Sequence, residues 1–258
     1  MTAELATLIG LSQHALETGF YLFLRIAPIV AFMPGFGETV VPARIKLVLA
    51  LCFTAVMVPV VAPGLPIATH EAVFLQRLAS ETLIGLFLGL GLRLFIMALQ
   101  TAGSMAAQAT SLSQLFAGAA AEPMPAIGHM LVISGLALAM LMGLPVRIIA
   151  LLEMSYRALP MGAPPDLSLF VEWAGALVAR CFDLAFSLAA PFLVMSVLYN
   201  LTLGVINRAM PQLMVAFVGA PVITAGGLIF LLIFGPLMLM IWWGAFESFL
   251  FRPADFMR

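Results

Sequence analysis

The chain has 258 residues, of which 64% are hydrophobic and only 9% charged, with a formal net charge of −1. A soluble domain carries roughly 25% charged residues, so this composition cannot cover a water-facing surface, and the chain is expected to be an all-α integral membrane protein. Its eleven Lys and Arg are scattered and form no basic stripe, which excludes a nucleic-acid-binding module.

Ahead of Arg25, the first basic residue, stand Glu4 and Glu17. That tract lacks the positive region of a signal peptide, and the chain is expected to insert through its own hydrophobic spans. A spanning helix needs about 20 apolar residues. The charge-free runs predict about six hydrophobic segments, at 18–33, 46–62, 78–99, 130–152, 180–203 and 213–247.

Several of these are poor lipid-facing helices. The first carries Arg25 near its middle, followed by Pro28. After it, 34–46 (PGFGETVVPARIK) reads as a turn and then a helix start at Arg44 and Lys46. The third segment holds Glu81 and Arg93, which a helix would place about 18 Å apart. Arg25, Glu81 and Arg93 are therefore candidate buried charges, since ionisable groups at membrane depth need partners. Gly85 and Gly89 form a small-xxx-small pair that suits a close helix contact, although a Gly-rich chain also produces such pairs by chance.

The stretch 100–125, QTAGSMAAQATSLSQLFAGAAAEPMP, is polar without charge until Glu122. Small residues permit close backbone approach, and uncharged polar groups can bond between helices. It suits a loop lining or closing a pore, or a plain connection with a helical first half. The fourth segment carries Pro145 and Arg147 towards its end, and Pro160, Pro164 and Pro165 mark a loop after it. Glu153 and Arg157 stand at i,i+4 in the favourable order.

Pro191 lies inside the fifth segment, and Arg208 is the sole charge between Asp183 and Glu247. Asn207, Pro211 and Gln212 surround it, so this polar cluster needs either a membrane-surface position or partners among other helices. The uncharged run 209–246 would make a helix of about 57 Å. With Pro221, Gly226, Gly227, Gly235 and Pro236 inside it, the last segment is expected to be broken or folded back. The excess of Arg on the N-terminal side of such a topology favours both termini in the cytoplasm. Cys52 and Cys181 read as small buried hydrophobes.

Catalytic patterns are missing. His70-Glu71 begins like a zinc-protease motif, but Phe74 replaces the second His. Gly35-Phe36-Gly37-Glu38 has no partner acid, no G-x-S-x-G occurs, and His14, His70 and His129 lack ligand spacing. The expectation is a non-enzymatic membrane protein without cofactors. Two classes remain from the residues alone. One is a channel or export-gate subunit. The other is a secondary transporter, for which paired breaks in two halves are expected. The breaks read here concentrate late in the chain, which favours the gate subunit.

The chain resembles the FliR family of flagellar export proteins and its type III secretion relatives. The likeness covers nearly the whole length. It rests on VPARIKL at Val41–Leu47, Thr101-Ala102-Gly103, Ser111-Leu112-Ser113 and Leu159-Pro160-Met161-Gly162. It is most specific at LGVINRAMPQL, Leu203–Leu213, which is similar to the family's L-G-x-x-x-R-x-x-P-Q pattern. Departures occur at Gln108, one position from the family's loop glutamine. Met142-Gly143-Leu144 stands where many members have Asn-Gly-His, and Met214 where many have Asn.

What the resemblance implies is a helical multi-subunit gate with broken helices and hairpins, in the inner membrane at the flagellar basal body. Its partners would be FliP-like and FliQ-like ring subunits, an FlhB-like subunit and exported unfolded proteins. Residues 1–175 would be the FliP-like portion and 176–258 a FliQ-like helical hairpin. A central plug loop near 108–125 would carry Gln108, Ser111, Leu112, Ser113, Phe116 and Gly118. Asn207, Arg208, Pro211 and Gln212 would form an assembly contact. An injectisome subunit is the alternative within the same likeness.

Overall fold

Arg25 falls in one helical stripe with Thr18, Leu22, Ile26 and Ile29, and in the computed structural model that stripe is the buried face of the first helix. The structure describes residues 2–61, 71–110, 126–210 and 215–253, with side chains placed for 16–61, 74–109, 127–206, 208–210 and 225–253. Among them are seven helices and no strand. They are α1 Thr2–Phe32, α2 Ala43–Val61, α3 Glu71–Thr110, α4 Ala126–Leu141, α5 Leu144–Ala158, α6 Leu167–Ala209 and α7 Val215–Phe251.

Among the described residues, four helical segments are long and apolar enough to cross a membrane: Ala43–Val61, Phe74–Ala109, Leu167–Ile206 and Ala225–Phe251. The pair Ile127–Leu141 and Leu144–Ala158 makes a fifth if its two parts count as one span. The expected segment 18–33 lies in α1 as far as Phe32, with Met33 just past the helix end. The fold is thus that of an all-α membrane protein.

The residues group into two units. The first holds Met1–Arg93, Met140–Leu177 and Ser248–Arg258, and the second Leu94–Ala139 and Val178–Glu247. In the first unit α1 packs against α2. The 19 residues of α2 make about 28 Å, close to the hydrocarbon thickness of a bilayer. It buries only the strip Ala50, Phe53, Thr54 and Met57, at i, i+3, i+4 and i+7, and leaves Leu47, Val48, Leu51, Val56 and Val60 facing out. Cys52 lies on that outer face, contrary to its reading as a buried residue, because a single packed strip leaves the rest of α2 uncovered. The rest of this core comes from Ile84, Leu88 and Leu92 of α3 and Ile148, Leu151 and Leu152 of α5. Trp173 of α6 donates its indole N–H to the Pro253 carbonyl at 2.7 Å.

The second unit is built on small residues and aromatics. Gly103 of α3 meets Gly128 of α4 backbone to backbone, so a side chain at Gly103 would run into Gly128. Trp242 of α7 is fully buried and donates to the Phe95 carbonyl at 2.8 Å. Its ring stacks on Phe246 at 5.2 Å, and Phe246 lies 5.2 Å from Phe95. Inside a bilayer, lipid is as apolar as Leu, so packing of this kind and polar contacts hold helices together.

Two backbone expectations change. The segment 130–152 is not one helix: it breaks at Met142 and Gly143, with Gly143 left-handed at φ 76 and Pro145 in the first turn of α5. Glycine tolerates that conformation and proline suits a helix start, so the Gly-x-Pro sequence produces the break. The last segment, expected to be broken or folded back, is one continuous helix from Val215 to Phe251. Bilayer thickness limits only the part inside hydrocarbon, so a long helix can extend beyond it. Gly and Pro are tolerated in such helices where neighbours restore the freed bonds.

Candidate functional site

The first polar centre grows from the two helical stripes of the first unit. On α1 the stripe places Arg25 inward, and on α3 the run Glu81, Ile84, Leu88 places Glu81 inward. Both are fully buried and paired: Arg25 Nε donates to Glu81 Oε2 at 2.7 Å and Nη2 to Oε1 at 3.1 Å, a bidentate fork. Nη1 donates to Ser155 Oγ at 3.2 Å and Nη2 to the Leu159 carbonyl at 3.0 Å. The Tyr156 ring lies 3.8 Å from the guanidinium carbon.

Glu81 takes a further bond from the Gly162 amide at 3.1 Å. Gly162 has φ 81 and follows Pro160 and Met161 in a turn closed by the Ala163 amide donating to the Pro160 carbonyl at 3.1 Å. That is the geometry of a turn needing glycine at its third position. The Leu-Pro-Met-Gly motif therefore points one amide at Glu81 and one carbonyl, that of Leu159, at Arg25. The ion pair ties together α1, α3, the end of α5 and the loop leading to α6.

Close approach of α1 and α3 is required for this pairing, and glycine supplies it. A side chain at Gly85 would collide with the Arg25 carbonyl, and a Cβ at Gly89 would sit 2.8 Å from the Pro28 carbonyl oxygen. The Gly85/Gly89 pair is thus a helix contact in the structure.

Arg93 is one-quarter exposed and does not reach Glu81. Its Nη1 donates to Glu38 Oε1 at 2.6 Å. Glu38 belongs to the turn between α1 and α2, where Gly35 has φ 84 and Lys46 Nζ donates to the Gly37 carbonyl at 2.9 Å. That segment is the turn and helix start expected from its composition.

The second polar region lies at helix ends. Gln108 is exposed in the last turn of α3. Ser111, Leu112, Ser113, Phe116 and Gly118 lie outside the described residues, as do Pro211 and Gln212. Asn207 lies in α6, and Arg208 is exposed in its last turn, where a cation complements the helix dipole. α6 ends at Ala209, one residue before the position that Pro211 disfavours for helix. Sequence reasoning passed over Ser155, Tyr156, Leu159 and Gly162. It passed over Ser196 and Asn200 as well, two polar positions of α6 beside the end of α3.

Among the described residues no group of three or more His, Cys, Asp or Glu could hold a metal ion. The arrangement defines a polytopic α-helical membrane protein whose buried charges join helices. Residues 16–249 match a family profile described as bacterial export proteins, family 1. The chain is 32% identical to the flagellar biosynthetic protein FliR of Caulobacter vibrioides, over 89% of this chain and 92% of that one. It is 30% identical to the protein of the same name from Aquifex aeolicus, over 92% and 93%. With that of Escherichia coli the identity is 29%, over 81% and 80%. The chain belongs to this bacterial export family, that of the flagellar biosynthetic protein FliR.

Proposed function

We propose that the chain is a subunit of the flagellar type III protein export gate in the bacterial inner membrane, where it helps form and plug the channel for unfolded substrates. The observation that carries this reading is the family match over residues 16–249, with relatives named for flagellar biosynthesis aligned along most of their own length. The role is structural, with no chemistry at the ion pair: Arg25 and Glu81 bond to each other and to fixed protein groups.

A multi-subunit setting is supported by length. α6 has 43 residues, about 64 Å of helix, and carries exposed apolar side chains from Leu167 to Ile206. A bilayer core of about 30 Å covers less than half of that, so the remainder calls for protein neighbours. FliP-like and FliQ-like ring subunits are the proposed neighbours, with an FlhB-like subunit beside them. In this reading residues 1–175 are the FliP-like portion and 176–258 the FliQ-like hairpin. Arg208, with Asn207, Pro211 and Gln212, is the proposed assembly contact at the end of α6.

The plug is proposed at 108–125, between α3 and α4 in the chain. Its content of Ala, Gly, Ser and Gln suits steric closure by a segment that must move aside. The test is to delete 111–121 and measure ion conductance of the assembled complex in vesicles. A leak with assembly intact is expected, and unchanged conductance contradicts the plug.

A further inference from the structure

α2 presents two faces of different kind. Ala50, Phe53, Thr54 and Met57 are buried, and α2 packs on α1 and α5. The outward strip runs through Leu47, Val48, Leu51, Val56 and Val60, all at least half exposed. The exposed residues from Leu47 to Val60 include no charge and no Gly, Ser, Thr, Asn or Gln. Thr54 is buried, and its hydroxyl donates to the Ala50 carbonyl at 2.7 Å.

Helices that pack together in a membrane meet through small residues and polar side chains, whereas this strip offers mainly aliphatic ones. The 19 residues of α2 give it about the length of the hydrocarbon layer, which α6 outruns. Charge stands only at the start of α2. Arg44 is exposed there, and Lys46 donates to the Gly37 carbonyl at 2.9 Å. Basic side chains at a helix end reach the headgroup level of a bilayer.

The alignment of α1 with α2 sets depth. A Cβ at Gly19 would lie 3.8 Å from Val58, so these two residues are level. The helices run antiparallel, the chain leaving α1 at Phe32 and entering α2 at Ala43. Arg25, six residues after Gly19, is therefore level with Cys52, six residues before Val58, and Cys52 is the middle residue of α2. A charge at that depth needs partners, and Arg25 has Glu81, Ser155 and the Leu159 carbonyl. α1 carries Arg25, α5 carries Ser155 and Tyr156, and α2 packs on both helices.

We propose that α2 is a lipid-facing wall of the subunit: acyl chains cover its outward strip, Cys52 lies at the bilayer midplane, and the helix screens the Arg25–Glu81 pair from hydrocarbon at that depth. α2 takes this place whether or not the chain lines a gate, so failure of the gate reading leaves it standing.

The experiment attaches a nitroxide to Cys52 of the full chain, isolated with whatever subunits accompany it and reconstituted into vesicles of phosphatidylethanolamine and phosphatidylglycerol. Cys181→Ala removes the other cysteine; if that variant is recovered poorly, the parent chain is labelled directly, because Cys181 is buried. Ile45→Cys and Val60→Cys, each with Cys52→Ala, place the label near the two ends of the same face. Relaxation of the label by oxygen, which concentrates in hydrocarbon, is compared with relaxation by a water-soluble nickel chelate. The oxygen-to-nickel ratio should be highest at 52 and fall towards both 45 and 60. Low accessibility to both reagents at 52 would show a protein neighbour on the strip, and high nickel accessibility there would show water; either overturns the proposal. A maximum at 45 or 60 overturns the depth given to Cys52 and Arg25.

Discussion

Glu81 receives two hydrogen bonds from Arg25, at 2.7 and 3.1 Å, although the residues are 56 positions apart and both side chains are fully buried. Removing one partner leaves the other charged, buried and unpaired, which costs about 3–5 kcal/mol. Glu81→Ala and Arg25→Ala should each sharply lower the accumulation and thermal stability of the membrane-inserted chain. The double replacement Arg25→Met with Glu81→Leu should recover much of that loss, because no charge is stranded. Thermal unfolding of the detergent-solubilised protein checks both, and singles no worse than the double would argue against the pairing.

Gly89 lets the α1 backbone approach α3. A Cβ there would meet the Pro28 carbonyl oxygen at 2.8 Å and the Ile29 Cα at 3.2 Å. Backbone cannot move aside as a flexible side-chain end can, so Gly89→Ala should destabilise by about 1–3 kcal/mol. Gly175 of α6 has no atom within 4 Å of its Cβ position, so Gly175→Ala should be neutral or stabilising by about 0.5–1 kcal/mol. Comparing their melting temperatures separates close contact from general sensitivity.

Much of this architecture was legible beforehand, and the exceptions have physical causes. Low charge and long apolar runs revealed a helical membrane protein because lipid exposure leaves a strong one-dimensional signature. Arg25 and Glu81 stood out as charges in apolar tracts for the same reason. Their pairing was not legible, since comparison along one helix sets Glu81 against Arg93, and only packing brings α1 across α3. Gly85 and Gly89 marked that crossing in part. Gly143 with Pro145 held the signal for the α4–α5 break, obscured by the unbroken hydrophobicity around it. In α7 the error ran the other way: the prolines and glycines were read as breaks, yet the helix continues from Val215 to Phe251. Ser196 gave no warning, because a serine bonding its own helix and one bonding a neighbour look alike in sequence.

Asp166 precedes α6 and accepts the Ser168 hydroxyl at 2.6 Å and the Ser168 amide at 3.0 Å. These bonds favour the carboxylate and hold its pKa below the ordinary value. A pKa lowered by folding contributes stability above the unfolded value and loses it as pH falls through the folded one. The Ser168 amide should therefore stay protected from hydrogen exchange at neutral pH and lose protection on acidification below about pH 4. Asp166→Ala should abolish that dependence, and protection unaffected by pH in the parent chain would contradict the assignment.

The account turns on whether this chain is part of an export gate, and co-isolation from gently solubilised membranes tests that most directly. Affinity capture of the chain should recover FliP-like and FliQ-like ring subunits in fixed ratio, and Arg208→Ala should reduce that recovery more than it alters the conductance of whatever complex remains. Capture of the parent chain alone, with no ring subunit, would contradict the account.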